Sequence, residues 1–209
     1  CTWGSSGPKV LLTGDSHAAQ WFPALQQLAS EGKLTLTSQT KSSCPFSSSD
    51  VKANGVVDQS CNKWHKNILQ YINTSQFDYV IFSNFDKYGY SLTNGTWNSG
   101  VSDLVNSIKT ATHIVQVIDT PKPPSDSAAC LSTHLNHVVL CNFDSQPNIK
   151  INNPKLSYID PTPWLCDAKS CFSTLVGFNT YRDGSHISVP TSKFLADNIY
   201  KALLSNNRS

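Results

Sequence analysis

The chain has 209 residues, 39% of them hydrophobic, which suffices for a single core that buries most of its apolar side chains. Charged residues make up only 14%, against about 25% in ordinary soluble domains, and Ser, Thr and Asn take their place. The net charge of +2 is scattered, with no basic run interleaved with aromatics, so nucleic acid is not an expected partner. No stretch approaches the roughly 20 consecutive apolar residues that a bilayer-spanning helix needs.

In chain order, Lys9 to Thr13 is an apolar run ending at Gly14, and Ala18 to Ala29 carries helix-spaced Trp21, Leu25 and Leu28. Leu34 to Thr37 reads as a strand, Asn62 to Ile72 as a helix and Tyr79 to Ser83 as a buried strand. Val101 to Ile108 reads as a helix, Ile114 to Ile118 and Leu156 to Ile159 as strands, and Ser192 to Leu204 as a closing helix after Pro190. Strands alternating with helices predict a three-layer α/β/α sandwich with a mostly parallel, flavodoxin-like sheet. Long polar segments at Ser42 to Ser60, Phe85 to Gly100 and Thr120 to Pro154 border strand ends, where function gathers in such sheets.

Seven cysteines in a non-repetitive chain predict disulfides and an oxidising compartment. Nearest-neighbour pairing joins Cys44 to Cys61, Cys130 to Cys141 and Cys166 to Cys171, although spacing alone does not decide connectivity. Cys1 is left over. With the absence of Met, this leads us to expect one domain over residues 1–209, excised from a longer precursor that holds the partner of Cys1. Cys130, His134, His137 and Cys141 also have the spacing of four zinc ligands. A disulfide needs no added assumption, so neither metal nor cofactor is expected.

The chemistry concentrates at two places. Gly14-Asp15-Ser16-His17 follows the first strand directly, so Ser16 sits where a strand turns into a helix and its hydroxyl is exposed near backbone N–H groups. An ordinary N-cap turn is the alternative, since Asp and Ser both cap helices. Near the other end, Arg182-Asp183-Gly184-Ser185-His186 precedes the last helix, and its Asp and His are spaced so that a carboxylate orients an imidazole facing a serine. Trp3, Trp64, Trp97 and Trp164, with Phe85, Tyr88 and Tyr90, are candidates for a sugar-binding cleft or for core packing.

Gly14-Asp15-Ser16 together with Asp183-Gly184-Ser185-His186 resembles the SGNH hydrolase family. More narrowly, Gly14-Asp15-Ser16-His17 followed by Ala18, Gln20, Trp21, Pro23 and Leu25, then Ser43-Cys44-Pro45, resembles the SGNH domain fused to membrane acyltransferase-3 proteins. The resemblance implies Ser16 as nucleophile, His186 as general base and acid, and Asp183 as the group that holds the imidazole. It implies the Ser16 N–H and the Asn84 side chain as oxyanion donors, with a turn residue as the alternative for Asn84. The family's second block carries a Gly that this chain lacks, and a backbone N–H from Lys41, Ser42 or Ser43 is the expected substitute. His17, beside the nucleophile, is a candidate to contact substrate, with packing at the start of the helix in a peripheral role as the favoured alternative.

The resemblance therefore implies an extracytoplasmic serine O-acyltransferase that moves an acyl group, expected to be acetyl, through acyl-Ser16 to a hydroxyl of a cell-envelope glycan. A membrane acyltransferase module would present the donor and tether the chain. A secreted carbohydrate esterase with the same triad and an inactive glycan-binding module are the alternatives.

Overall fold

The computed structural model describes residues 1–86, 96–145 and 149–205. Its central sheet contains β1 (Thr2–Trp3), β2 (Lys9–Gly14), β3 (Thr35–Thr40), β6 (Tyr79–Ser83), β7 (His113–Val117) and β8 (Leu156–Ile159), in the spatial order β1-β3-β2-β6-β7-β8. Every pairing is parallel except the two-residue β1 against β3. The parallel part is thus the flavodoxin-like 2-1-3-4-5 arrangement, as the sequence predicts. Two small hairpins stand apart from it: β4 (Lys52–Ala53) with β5 (Val56–Val57), and β9 (Thr174–Leu175) with β10 (Phe178–Asn179).

The strands are apolar because both faces are covered. In β2 every residue but Lys9 is buried, and alternation sends Val10 and Leu12 to one face and Leu11 to the other. Val10 and Leu12 meet Trp21, Leu25 and Leu28 of the first helical layer, joined there by Ile199 and Leu203. Leu11, with Val80 and Phe82, meets Ile68 and Ile72 of α3 (Gln59–Thr74) and Val101, Leu104 and Val105 of α4 (Thr96–Asn106).

The helix predicted from Ala18 to Ala29 is instead two, α1 (Ser16–Ala19) and α2 (Phe22–Ser30). Pro23 is the cause. In a continuous helix its ring would strike the carbonyl four residues earlier, whereas in a first turn it costs nothing. Beyond the two short helices α5 (Ser127–Thr133) and α6 (Thr162–Leu165), the closing helix is also divided, into α7 (Val189–Phe194) and α8 (Ala196–Ser205). Ser188 caps α7 by accepting from the Thr191 N–H.

Candidate active site

β2 and β6 lie side by side, and their carboxyl ends lead into Ser16 and Asn84 at the same edge of the sheet. The turn after β2 depends on Gly14, whose φ is +124° and whose added Cβ would stand 2.2 Å from the Ser83 carbonyl oxygen. Asp15 then caps α1: one carboxylate oxygen accepts from the His17 N–H at 2.8 Å and the other from the Phe85 N–H at 2.8 Å. The N-cap reading of the tripeptide is therefore correct for Asp15 and compatible with a catalytic Ser16. Burial, opposed by nearby His17 and by these two N–H groups, pushes the Asp15 carboxyl up to about 6. The Ser16 N–H has no partner among the described residues.

The loop from Tyr181 to Ile187 is closed by a bridge between those two residues and by a hydrogen bond from the Arg182 N–H to the His186 carbonyl. Asp183 Oδ1 accepts from the N–H groups of Ser185 at 2.9 Å and His186 at 2.8 Å, so the carboxylate shapes its own loop. Gln20 fastens this loop to the nucleophile turn, its Oε1 accepting from the Ile187 N–H at 2.9 Å.

The result is a continuous chain of contacts. His186 Nε2 lies 2.9 Å from Ser16 Oγ, and His186 Nδ1 lies 2.9 and 3.0 Å from the two oxygens of Asp183. Partial burial works against a charged Asp183, but the N–H groups of His186 and Ser185 and the His186 ring outweigh it and hold the carboxyl at about 2. His186 lies below the ordinary imidazole range, first because burial disfavours its charged form and second because His17 is close; Asp183 opposes both. An ionised Asp183 requires the proton on Nδ1, which leaves the Nε2 lone pair for the serine hydroxyl.

Asn84 is buried, with its Oδ1 accepting from the Phe46 N–H at 2.6 Å and its Nδ2 donating to the Phe46 carbonyl at 3.3 Å. This clasp fixes the amide and uses one of its two N–H hydrogens. The Lys41 N–H is spent on the Gly14 carbonyl at 3.0 Å, which removes it as an oxyanion donor. Lys41 to Cys44 is a turn closed by the Cys44 N–H on the Lys41 carbonyl, with Ser43 at φ +58°. Ser43 thus takes the left-handed backbone that Gly would supply. The N–H groups of Ser42 and Ser43 remain without partners among the described residues.

His17 is not peripheral. It is 1% exposed, its Nδ1 lies 2.6 Å from Asp119 Oδ1, and its ring stands 4.5 Å from that of His186 and 4.6 Å from that of Phe85. Asp119 follows β7, and its other oxygen accepts from Lys122 Nζ at 2.9 Å and from the Asp86 N–H at 3.1 Å; Lys122 also pairs with the Asp86 carboxylate. Sequence reading gave Gln20 no role beyond its place in the resemblance and missed Asp86, Asp119 and Lys122. Asp119 had one usable signal, a carboxylate just past the carboxyl end of a buried strand.

The three predicted disulfides, Cys44–Cys61, Cys130–Cys141 and Cys166–Cys171, are all formed. The sulfurs of Cys130 and Cys141 are bonded to each other and offer no thiolate to a metal, and His134 Nδ1 rests on the Cys130 carbonyl at 3.0 Å. Trp97 is buried, while Trp3, Trp64 and Trp164 pack against the core with part of each ring exposed. Phe85 packs on His17, and Tyr88 and Tyr90 lie outside the described residues.

Among solved structures, the periplasmic domain of a lipopolysaccharide acetyltransferase from Salmonella ser. Paratyphi A is similar at 20% identity. The match covers 95% of this chain and 84% of that one, with a TM-score of 0.73. Salicylyl-acyltransferase SsfX3 from a tetracycline biosynthetic pathway is similar at 14% identity over 98% of this chain and 56% of that one, with a TM-score of 0.54. At these identities the likeness shows the fold. No curated protein matches the sequence. The family model described as an SGNH domain fused to AT3 domains matches residues 1–201. Nearly the whole chain follows that pattern, and it belongs to the family of SGNH domains fused to AT3 domains.

Proposed function

We propose that this chain is an extracytoplasmic serine O-acyltransferase that carries an acyl group, acetyl in the first instance, through acyl-Ser16 to a hydroxyl of a cell-envelope glycan. The observation that carries this reading is the chain Ser16 Oγ, His186 Nε2, His186 Nδ1, Asp183, with every link at 2.9 to 3.0 Å. Ser16 Oγ attacks the acyl carbonyl while its proton passes to His186 Nε2. The oxyanion faces the Ser16 N–H and the second N–H of the Asn84 amide, with a Ser42 or Ser43 N–H as the further donor. The leaving group departs with the proton from Nε2, leaving the acyl ester on Ser16. An acceptor hydroxyl then gives its proton to Nε2 and attacks the ester, and collapse returns proton and oxygen to Ser16.

A donor presented by a membrane acyltransferase module is supported by the family's fusion to AT3 domains. An extracytoplasmic location is supported by three disulfides and by the periplasmic domain that shares the fold. Among the described residues no helix is long and apolar enough to cross a membrane, so a tether would come from outside them. Hydrolysis is the second reading: the His186 side chain is 17% exposed, so water reaches the base when no sugar fills the site.

The test treats the purified chain and Ser16→Ala with a fluorophosphonate and with p-nitrophenyl acetate, with and without acetyl-acceptor oligosaccharides. Labelling and nitrophenolate release in wild type alone, with acetyl appearing on the sugar, is the expected result. Free acetate as the sole product at saturating acceptor would favour the esterase. A folded wild type that does not label would sink both enzymatic readings and leave a binding module.

A further inference from the structure

Beyond the carboxyl end of β7 stands an uncharged apolar surface that the catalytic site does not use. Between Asp126 and Asp144 the chain has no Asp, Glu, Lys or Arg, and within that stretch Leu135, Val139 and Leu140 are 77, 66 and 65% exposed. They are held outward by the build of the loop. The Cys130–Cys141 disulfide closes it, the His137 N–H bonds the His134 carbonyl at 2.9 Å, and the Leu140 N–H bonds the His137 carbonyl at 3.0 Å at the start of a single 3-10 turn, Val138–Cys141.

A second apolar tip rises from the same base. Phe143 and Cys171 exchange both backbone hydrogen bonds, at 3.2 and 2.7 Å, and Ser173 donates to Asn142 Oδ1 and to the Cys141 carbonyl. In an antiparallel pair the residues before one member run beside those after the other, so Val139 and Leu140 leave this base on the side where the β9–β10 hairpin begins. Val176 and Gly177 form the hairpin's two-residue turn, both with positive φ. Asn-Gly suits such a turn, whereas a β-branched residue at φ +48° is strained. Val176 is nevertheless 68% exposed, so packing within the chain does little to offset the strain. The hairpin runs directly into the catalytic loop: the Ser173 carbonyl accepts from the Thr180 N–H at 2.9 Å, and Arg182 and Asp183 follow.

Protein partners are gripped mainly by aromatic and Arg anchors seated in pockets, and these tips offer aliphatic side chains alone. A lipid surface asks only for apolar area. The family's fusion to AT3 domains, read above as a membrane acyltransferase module, keeps such a surface within reach. We propose that the Leu135–Leu140 loop and the Val176 tip dip into a phospholipid surface and so turn the edge of the sheet that carries Ser16 and His186 toward the membrane. This rests on the membrane-side location proposed above and not on the chemistry of Ser16. Leu135, Val139, Leu140 and Val176 carry about as many carbons as one myristoyl chain, which binds a bilayer reversibly with a constant of ~10⁴ M⁻¹. The contact therefore orients the domain and does not anchor it. The flanking charges come as opposite-sign neighbours, Asp167 with Lys169 and Arg182 with Asp183, so the contact should depend little on lipid charge or salt.

The test is flotation of the purified chain with vesicles of phosphatidylcholine alone, or mixed equally with phosphatidylglycerol, at low and high salt. Wild type should float with both at millimolar lipid in either salt, with an association constant of up to ~10⁴ M⁻¹. Joint Val139→Asp and Leu140→Asp should weaken binding about tenfold or more without lowering the melting temperature. Val176→Asn should weaken binding while raising the melting temperature, because Asn suits the left-handed turn. A residue that only shapes the hairpin would not move the two in opposite directions. Wild type that stays in solution, or flotation that the variants retain in full, would overturn the proposal. So would flotation confined to the anionic vesicles and lost in salt, which would assign the contact to basic side chains. A lipid-free dimer in sedimentation that the Asp pair abolishes would give the surface to a second copy of the chain and overturn it as well. No arm uses the nucleophile: wild type that floats but resists fluorophosphonate would remove only the enzymatic reading, and one that labels but does not float only this inference.

Discussion

Asp183→Asn isolates the contribution of the orienting carboxylate. Asp183 Oδ1 accepts both loop N–H groups, at 2.8 and 2.9 Å, while Oδ2 lies 2.9 Å from His186 Nδ1. An asparagine keeps its oxygen toward the loop N–H groups and so places its NH2 against Nδ1. That group only donates and opposes the Nδ1–H; with one acceptor left there, the loop-bound oxygen at 3.0 Å, the balance moves toward the tautomer with its proton on Nε2, which faces Ser16 Oγ and leaves no base. The equivalent change in a serine-protease triad costs about 10⁴-fold. We expect a loss of about 10³–10⁴-fold in kcat/KM here, or about 4–5.5 kcal/mol of transition-state stabilisation. Stability should change little, since the loop bonds survive and the lost contact with Arg182 is a solvent-exposed pair worth under about 1 kcal/mol. Nitrophenyl acetate turnover and fluorophosphonate labelling at pH 7.5, with a denaturant melt of each protein, provide the assay. A variant that folds and keeps its rate within tenfold of wild type would refute the assigned tautomer.

Further outcomes are expected from the same geometry. Because His186 must be neutral to accept the serine proton and lies below its ordinary range, activity should rise with pH to a plateau, with a midpoint below about 6.5; a stopped-flow profile with its limb above that value would contradict this. Gly14→Ala places a Cβ 2.2 Å from the Ser83 carbonyl at φ +124°. It should destabilise the fold by about 2–6 kcal/mol in urea titration, because backbone strain adds to overpacking. Asn84→Ala should lower kcat by about 10²–10³-fold if its amide meets the oxyanion, whereas an unchanged kcat with a lower melting temperature would restrict it to clasping Phe46. Joint replacement of Cys44 and Cys61 by Ser opens a loop with a sequence separation of 17 and should cost about 3 kcal/mol by denaturant melt.

The alternation of apolar runs and amphipathic stretches carried the sandwich and its five parallel strands, because burial on both faces of a sheet is written in consecutive residues such as Val10, Leu11 and Leu12. The Gly-Asp-Ser turn and the Asp-x-x-His loop were legible for a similar reason: each is built from neighbours in the chain, and the structure places Ser16 and His186 in contact. Boundaries were less legible where a single residue intervenes, as Pro23 does in dividing α1 from α2. The rest belongs to the tertiary structure. That the Lys41 N–H is consumed by Gly14, that Asn84 grips Phe46, and that His17 is buried against Asp119 across 102 positions are consequences of which strand ends meet. Local periodicity holds no information about pairs so far apart, and the electrostatics that set the His186 base follow from those pairs.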